Sequence, residues 1–350
     1  MKTDQKRMRT YWSMPASFIL AFVLLPVISC IIPQGGETGR EVEVPLSGGV
    51  EIFESDRYLV CVSPEESSAD ELAREYLGDP ERAWIIEEAN GKRLFPAGDS
   101  VVIPLRDENP GGLEKDGYQI VPILCYHRIG RGCDGPLCVE EKEFMRQMAF
   151  LDDNGYRVIT LSELLDFLFY RKGLPRKTVV ITIDDGHRSA YEIAYPVLLD
   201  HGFHATLFVS TDNIGTGSGS LSWDLLKEMK MNGFEVGSHT VTHHDLSKAL
   251  EGETESAYLE RVEYELRASK EILDEMLEQD TISIAYPYGK LTPVVLQLCQ
   301  DLGYRLGVTV YPGGNPFFAD PLALSREQVM EGSDVSFQER LKTFEAASLE

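Results

Sequence analysis

From residue 119 onward the apolar positions switch repeatedly between two periods. Short runs rich in β-branched residues ("QIVPILCYH", "YRVIT", "KTVVITID", "ATLFVS", "FEVGSH", "SIAYPYG", "YRLGVTV") read as strands. Between them lie stretches whose apolar residues recur every three or four positions. "EKEFMRQMAFLDDNG" puts Phe144, Met148 and Leu151 on one helical face. "LSELLDFLFYRKG", "AYEIAYPVLLDHG", "WDLLKEMKMNG", an acidic stretch near 255–279 and "PVVLQLCQDLG" read the same way. Alternating strands and helices predict a parallel α/β sheet. About seven units without a Gly-rich phosphate loop favour a (β/α) barrel over an open dinucleotide-binding sheet, with chemistry at the C-terminal strand ends.

Residues 51–106 carry a different, shorter pattern. "RYLVCVS" is a strand, "ADELAREYLG" a helix with Leu72, Ala73 and Tyr76 along one face, and "ERAWIIEEANG" a second helix with Trp84, Ile85 and Ala89. "AGDSVVIP" closes the block as a strand. A polar linker at 107–118, a large domain at 119–330 and a C-terminal tail at 331–350 complete this division.

The first thirty residues follow another logic. Lys2, Lys6, Arg7 and Arg9 precede an apolar stretch from Ala16 to Ile28, the plan of a secretory signal spanning 1–29. The run is shorter than the ~20 residues a spanning helix needs. "VISC" resembles a bacterial lipobox, which implies cleavage before Cys30 and lipidation there. Cleavage would remove four basic residues and one acidic one, and take the net charge from -24 to -27. Residues 30–50, rich in Gly, Pro and charge, read as a flexible tether. So acidic a chain argues against nucleic acid as a partner, because phosphates are neutralised by Lys and Arg. It fits a neutral substrate or a cationic product, and serves solubility equally well.

Outside the cytoplasm a disulfide is permitted. Cys133 and Cys138 share the turn-rich segment "GRGCDGPLCVE" and are the expected pair; no second Cys or His pair completes a structural zinc set. Cys61, Cys125 and Cys299 read as buried apolar cysteines.

Four segments carry the candidate chemistry. In "TIDDG" a strand ends in Asp184 and Asp185. Neighbouring side chains on a strand face opposite ways, so the pair can serve one site only if the strand ends there. One carboxylate can then bind a cation while the other remains a base, and their mutual repulsion calls for a cation nearby. In "HTVTHHD", His239 and His243 stand at i and i+4, and a helical turn would stack them for one metal. His244 would face elsewhere. "AYPYG" turns the backbone at a strand end, where N–H groups can meet an oxyanion. In "VPILCYHRIG", His127 closes a hydrophobic strand and could donate a proton.

TIDDG, HTVTH and AYPYG, in that order and spacing, resemble the polysaccharide deacetylase family (NodB-homology, carbohydrate esterase family 4). The resemblance implies a distorted, TIM-like (β/α) barrel. It assigns Asp185, His239 and His243 to a divalent metal, usually Zn2+, Asp184 to the general base and the Tyr288 peptide N–H to an oxyanion hole. "PILCYHRIG" resembles the subgroup acting on β-1,6-linked N-acetylglucosamine exopolysaccharide. In that subgroup the acid histidine stands at the front of the domain, as His127 does. Tyr126, Pro287, Phe317 and Arg326 become candidates to meet substrate. Many members of the family carry an Arg two residues before the Pro of the third motif; that position is Ala285 here. Arg326 or Arg128 could replace it, or the base could be held differently. "GGNPFFADPLALSRE", with Phe317 and Phe318, would stand in for a missing aromatic motif. Residues 51–106 resemble a LysM module, a small α+β unit that binds N-acetylglucosamine chains, although the usual opening is altered to "YLVCVSPEESSADEL".

The expectation is therefore a lipid-anchored N-deacetylase of an N-acetylglucosamine polysaccharide in a bacterial cell envelope, on the periplasmic or outer face. A peptidoglycan deacetylase or an O-acetyl xylan-type esterase of the same family is the alternative. A catalytically inactive glycan-binding protein is the third reading.

Overall fold

A computed structural model describes residues 52–107, 109–132, 135–331 and 335–347. The signal, Cys30, the tether and Cys133 lie outside the described residues. Among the described residues, no helix is long and apolar enough to cross a membrane.

The small block contains the expected strand, two helices and closing strand, with one further strand ahead of them. Strands β1 (Ile52–Glu54), β2 (Tyr58–Val62) and β3 (Ser100–Pro104) form one antiparallel sheet, ordered β1-β2-β3. Helix α1 (Ala69–Leu72) starts with a Ser68–Glu71 capping box and runs into a π turn at Ala73–Leu77. Helix α2 (Ala83–Asn90) follows. Alternate residues Leu59, Cys61, Val101 and Ile103 point inward against Ala69, Leu72, Ile86 and Phe95. Asn90 ties α2 to the sheet through both the N–H and the C=O of Val102, at 3.0 and 2.7 Å.

The segments read as linker and tail are not free. The short strand Leu113–Glu114, β4 (Gly117–Gln119) and residues 344–346 make a three-stranded antiparallel sheet. Asp107 accepts the Gly173 N–H at 2.7 Å, which fixes the start of the linker to the large domain. Pairing of backbone groups between sequence-distant segments overrides their loop-like composition.

The large domain is a parallel barrel. Its strands are β5 (Ile123–Tyr126), β6 (Arg157–Ile159), β7 (Thr178–Asp184), β8 (Thr206–Val209), β9 (Glu235–Ser238), β10 (Ser283–Ala285), β11 (Leu306–Val308) and β12 (Glu327–Gln328). The sheet runs β11-β10-β9-β8-β7-β5-β12, and β6 pairs with the first half of β7. Val308 bridges Leu324 while Glu327 and Gln328 pair with Leu124 and Cys125, so the segment 324–328 closes the ring. Helices α3 (Glu141–Asp153), α4 (Leu161–Leu168), α5 (Tyr195–Asp200), α6 (Trp223–Met231), α7 (Glu255–Leu277) and α8 (Pro293–Asp301) pack outside.

Strand parity sorts the side chains. Leu124, Tyr126, Val179, Ile181, Ile183, Leu207 and Val209 pack outward with Phe144, Met148 and Leu198. Ile123, Val180, Phe208, Val308 and Leu324 point inward. Cys125, His127, Thr182, Asp184 and Arg326 share that inward parity, so the polar site is built on the barrel's own pleat.

Candidate active site

The site sits at the C-terminal ends of β5, β7, β9 and β10. Strand β7 is buried along its whole length and stops at Asp184. Asp185 then takes φ 73° and Gly186 φ 68°. That left-handed turn swings the second carboxylate back toward the barrel mouth, against the alternation an extended strand would impose.

Asp184 is buried, 1% exposed, and held by a fork of hydrogen bonds. Arg326 Nη1 donates to Oδ1 at 2.8 Å and Nη2 to Oδ2 at 2.7 Å. Arg326 also donates to Thr182 Oγ1 and to the Thr309 carbonyl, at 3.1 and 2.7 Å. Its 1% exposure and spent donors make it a holder of Asp184, so the substrate contact expected of it is corrected. Arg128 is exposed on the outer strand Arg128–Gly130 and plays no such part. Burial pushes the Asp184 carboxyl up, and Arg326, then His239, more than offset this, so it titrates below its ordinary value. Cys125 Sγ lies 3.7 Å from Asp184 Oδ2, and burial raises its thiol well above the ordinary range. The cation demanded by the paired carboxylates is thus supplied in part by Arg326.

His239 follows β9, and its Nδ1 lies 2.7 Å from the Ala285 carbonyl. A carbonyl only accepts, so Nδ1 carries the hydrogen and Nε2 offers a lone pair. His239 Nε2 and His243 Nε2 each lie 3.5 Å from Asp185 Oδ1. These gaps are too long for hydrogen bonds. They match the edges of a tetrahedron of ligands placed ~2.1 Å from a common centre, about 3.4 Å. The donor set therefore fits a divalent ion.

The helical turn expected at His239–His243 does not form. Thr240 and His243 adopt φ 67° and 62°, and the segment is an irregular loop with the two rings 4.5 Å apart. Burial lowers the His243 imidazole. Burial also opposes charge on His239, but Asp185 and Asp184 raise it overall. Asp185 itself falls far below the usual carboxylate range: burial raises it, and His187 and His239 outweigh that.

His127 is 8% exposed, and its buried Nδ1 finds no partner among the described residues. A ring nitrogen of His127, Cys125 Sγ and an Asp184 oxygen lie within 4.8 Å of one another. Burial lowers the imidazole, with Asp184 and Asp185 pulling the other way. Tyr288 has φ 59°, and its exposed ring lies edge-on to His243 at 5.0 Å. Pro287 is buried at the start of that turn.

Two further expectations are corrected. Tyr126 faces outward by parity, packs on Phe144 and donates to Gln147 Oε1 at 2.7 Å, so it cannot reach a substrate. Phe317 packs on Tyr170 and Phe318 on Tyr118, close to Asn315, which bridges Val121 two residues ahead of β5. They sit at the opposite end of the barrel from Asp184. Cys138 is disulfide-bonded, while Cys61, Cys125 and Cys299 are free and buried.

His187 was not anticipated. Its Nε2 lies 3.6 Å from Asp185 Oδ2, and its backbone pairs with Ser220. With His243 and the Gly/Ser-rich loop 213–220 it lines a cleft of about 460 Å³ beside Asp185. Its position two residues past Asp185, inside the same turn, was the available signal.

A family model described as polysaccharide deacetylase matches residues 171–307. The chain is 34% identical over 226 residues to the Bacillus subtilis (strain 168) protein named "Putative polysaccharide deacetylase YxkH", covering 65% of this chain and 77% of that one. It is 29% identical over 199 residues to the poly-β-1,6-N-acetyl-D-glucosamine N-deacetylase of Staphylococcus aureus (strain N315), covering 53% and 68%. Among solved structures it is similar to the Streptococcus pyogenes deacetylase PplD in complex with acetate (TM-score 0.58, 32% identity, 65% of this chain and 99% of that one). It is also similar to IcaB from Ammonifex degensii (TM-score 0.57, 29% identity, 65% and 96%).

Proposed function

Since the chain belongs to the polysaccharide deacetylase family, we propose that it removes N-acetyl groups from β-1,6-linked N-acetylglucosamine in a cell-surface polysaccharide. The observation that carries this reading is the gathering of His127, from the first barrel strand, with Asp184, Asp185, His239 and His243 at one barrel mouth. The name of the Staphylococcus aureus relative supports the linkage. We place the protein outside the cytoplasm, tethered by a lipid on Cys30, with residues 51–106 as a LysM-like glycan-holding domain.

Asp185, His239 and His243 would hold the metal, and zinc suits one carboxylate and two imidazoles. When bound, it supplies Lewis-acid polarisation of the acetyl carbonyl and lowers the pKa of a water. Asp184 takes the proton of the attacking water. Arg326 keeps that carboxylate ionised and aimed into the barrel mouth. The Tyr288 peptide N–H faces the developing oxyanion. His127 gives a proton to the departing glucosamine nitrogen, and acetate is released.

The test is acetate release by metal-loaded protein from β-1,6-linked oligomers, chitooligomers, peptidoglycan and acetylated xylan. The β-1,6 oligomers should react fastest, and Asp184→Asn should lose at least about a hundredfold. Wild-type rates in Asp184→Asn would overturn the base assignment. Silence on every glycan would make the chain a binding protein.

A further inference from the structure

We propose that Glu265, on helix α7, is the positioning residue that shapes the metal-binding loop; this rests on the metal reading of Asp185, His239 and His243. Glu265 is 2% exposed and lies outside the three motifs. Its Oε2 accepts the N–H of Val241 and of Thr242, both at 2.9 Å, and its Oε1 accepts the Thr242 hydroxyl at 2.5 Å. The loop between the two histidines therefore closes on a side chain, where a helix or sheet would use backbone carbonyls.

A second residue of the same helix face acts at the other side of the loop. Ser269, one turn on, meets Ser238 Oγ at 2.7 Å, and Ser238 Oγ accepts the Thr240 N–H at 3.1 Å. Positions 238 to 242 are thus clamped to α7 from both sides of His239. The left-handed residues Thr240 and His243 fall within or next to this clamp, and Thr240 Oγ1 accepts the His243 N–H at 3.0 Å. Left-handed backbone at a β-branched threonine is costly, and it persists only where the surroundings impose it. Glu265 provides that imposition. Its three bonds set the course of the chain from His239 to His243, and so the 3.5 Å spacing of both Nε2 atoms from Asp185.

The bonds also say which substitution is tolerated. In Glu265→Gln the remaining oxygen can accept both N–H groups, while the amide nitrogen donates to Thr242 Oγ1. Thr242 can then donate to His244 Nδ1, which lies 2.6 Å away. Glu265→Ala leaves the two N–H groups without an acceptor.

The experiment titrates the full chain, stripped of metal, with Co2+, reading visible d–d absorption and chelator competition at 25 °C. Glu265→Ala should weaken Co2+ binding about 10- to 100-fold and change the band shape. Glu265→Gln should stay within about threefold of wild type. Leu273→Ala, buried on the same helix two turns away, should lower the melting temperature yet leave the Co2+ affinity unchanged. If Glu265→Ala does not fold, Glu265→Asp, which withdraws the carboxylate by one methylene, is expected to weaken binding in its place. Wild-type Co2+ affinity and spectrum in these variants, or an equal loss in Leu273→Ala, overturn the proposal. Loss of Co2+ by Asp185→Asn alone would leave the metal reading standing and remove only Glu265. No binding by wild type would remove both.

Discussion

The residue that decides the most is Arg326. It is a guanidinium buried inside a barrel, opposite a buried carboxylate, with both charges desolvated. Breaking such a pair from one side strands a charge, whereas removing both partners does not. Arg326→Met should therefore cost about 3–5 kcal/mol in urea unfolding. The double substitution Arg326→Met with Asp184→Asn should recover most of that; equal loss in the double variant would mean the ion pair is not the cause. His127 allows a separate test, because an acid matters only where a leaving group needs a proton. His127→Ala should lower acetate release from the N-acetyl glycan by about 10² to 10⁴. It should barely slow cleavage of an aryl acetate, whose phenolate departs unprotonated. Equal slowing of both substrates would remove His127 from the acid role.

Elements carry these residues, and here the sequence was legible unevenly. The alternation of strands and helices, and the Asp-Asp-Gly strand end, could be read because period and turn chemistry are local. The loop from His239 to His243 could not, since a left-handed Thr240 is imposed by Glu265, far along the chain on another element. Sequence alone does not single out Arg326 for the same reason: its place depends on closure of the ring by residues 324–328. A further link joins two of the motif loops. Asp245 accepts from Lys290 at 3.0 Å and from the Ser247 N–H and hydroxyl at 2.9 and 2.6 Å. Burial raises this carboxyl, and the Ser247 and Lys290 contacts bring it below its ordinary value. A depressed folded pKa adds stability above the unfolded value of about 3.9, and that stability fades as pH falls through the folded one. Asp245→Asn should thus be less stable by about 1 kcal/mol at pH 7. The gap should hold to about pH 5 and narrow below pH 4. A gap as wide at pH 2.5 as at pH 7 would refute the ion-pair account.

At the scale of the molecule, the charged stretch after the small domain works as a joint. Arg176 donates its N–H to Glu88 at 2.9 Å and pairs with Glu114 at 2.6 Å, so helix α2, the linker and the barrel meet at one residue. The linker strand β4 is then covered by Phe344–Ala346 near the C-terminus. Gly117 makes that cover possible: a Cβ there would stand 2.2 Å from the Glu345 carbonyl and 2.6 Å from the Phe344 ring. Gly117→Ala must therefore separate the two strands. Trypsin should then cut faster at Lys115, which is exposed in the adjoining turn, and the melting temperature should fall by several degrees. Activity at 25 °C should stay near wild type, because β4 lies at the N-terminal end of the barrel. The seven residues of β7 put about 20 Å between that end and Asp184. Unchanged proteolysis in Gly117→Ala would mean that the cover by Phe344–Ala346 does not hold residues 107–118 in place. Loss of activity without loss of stability would mean that the joint and the barrel mouth are coupled.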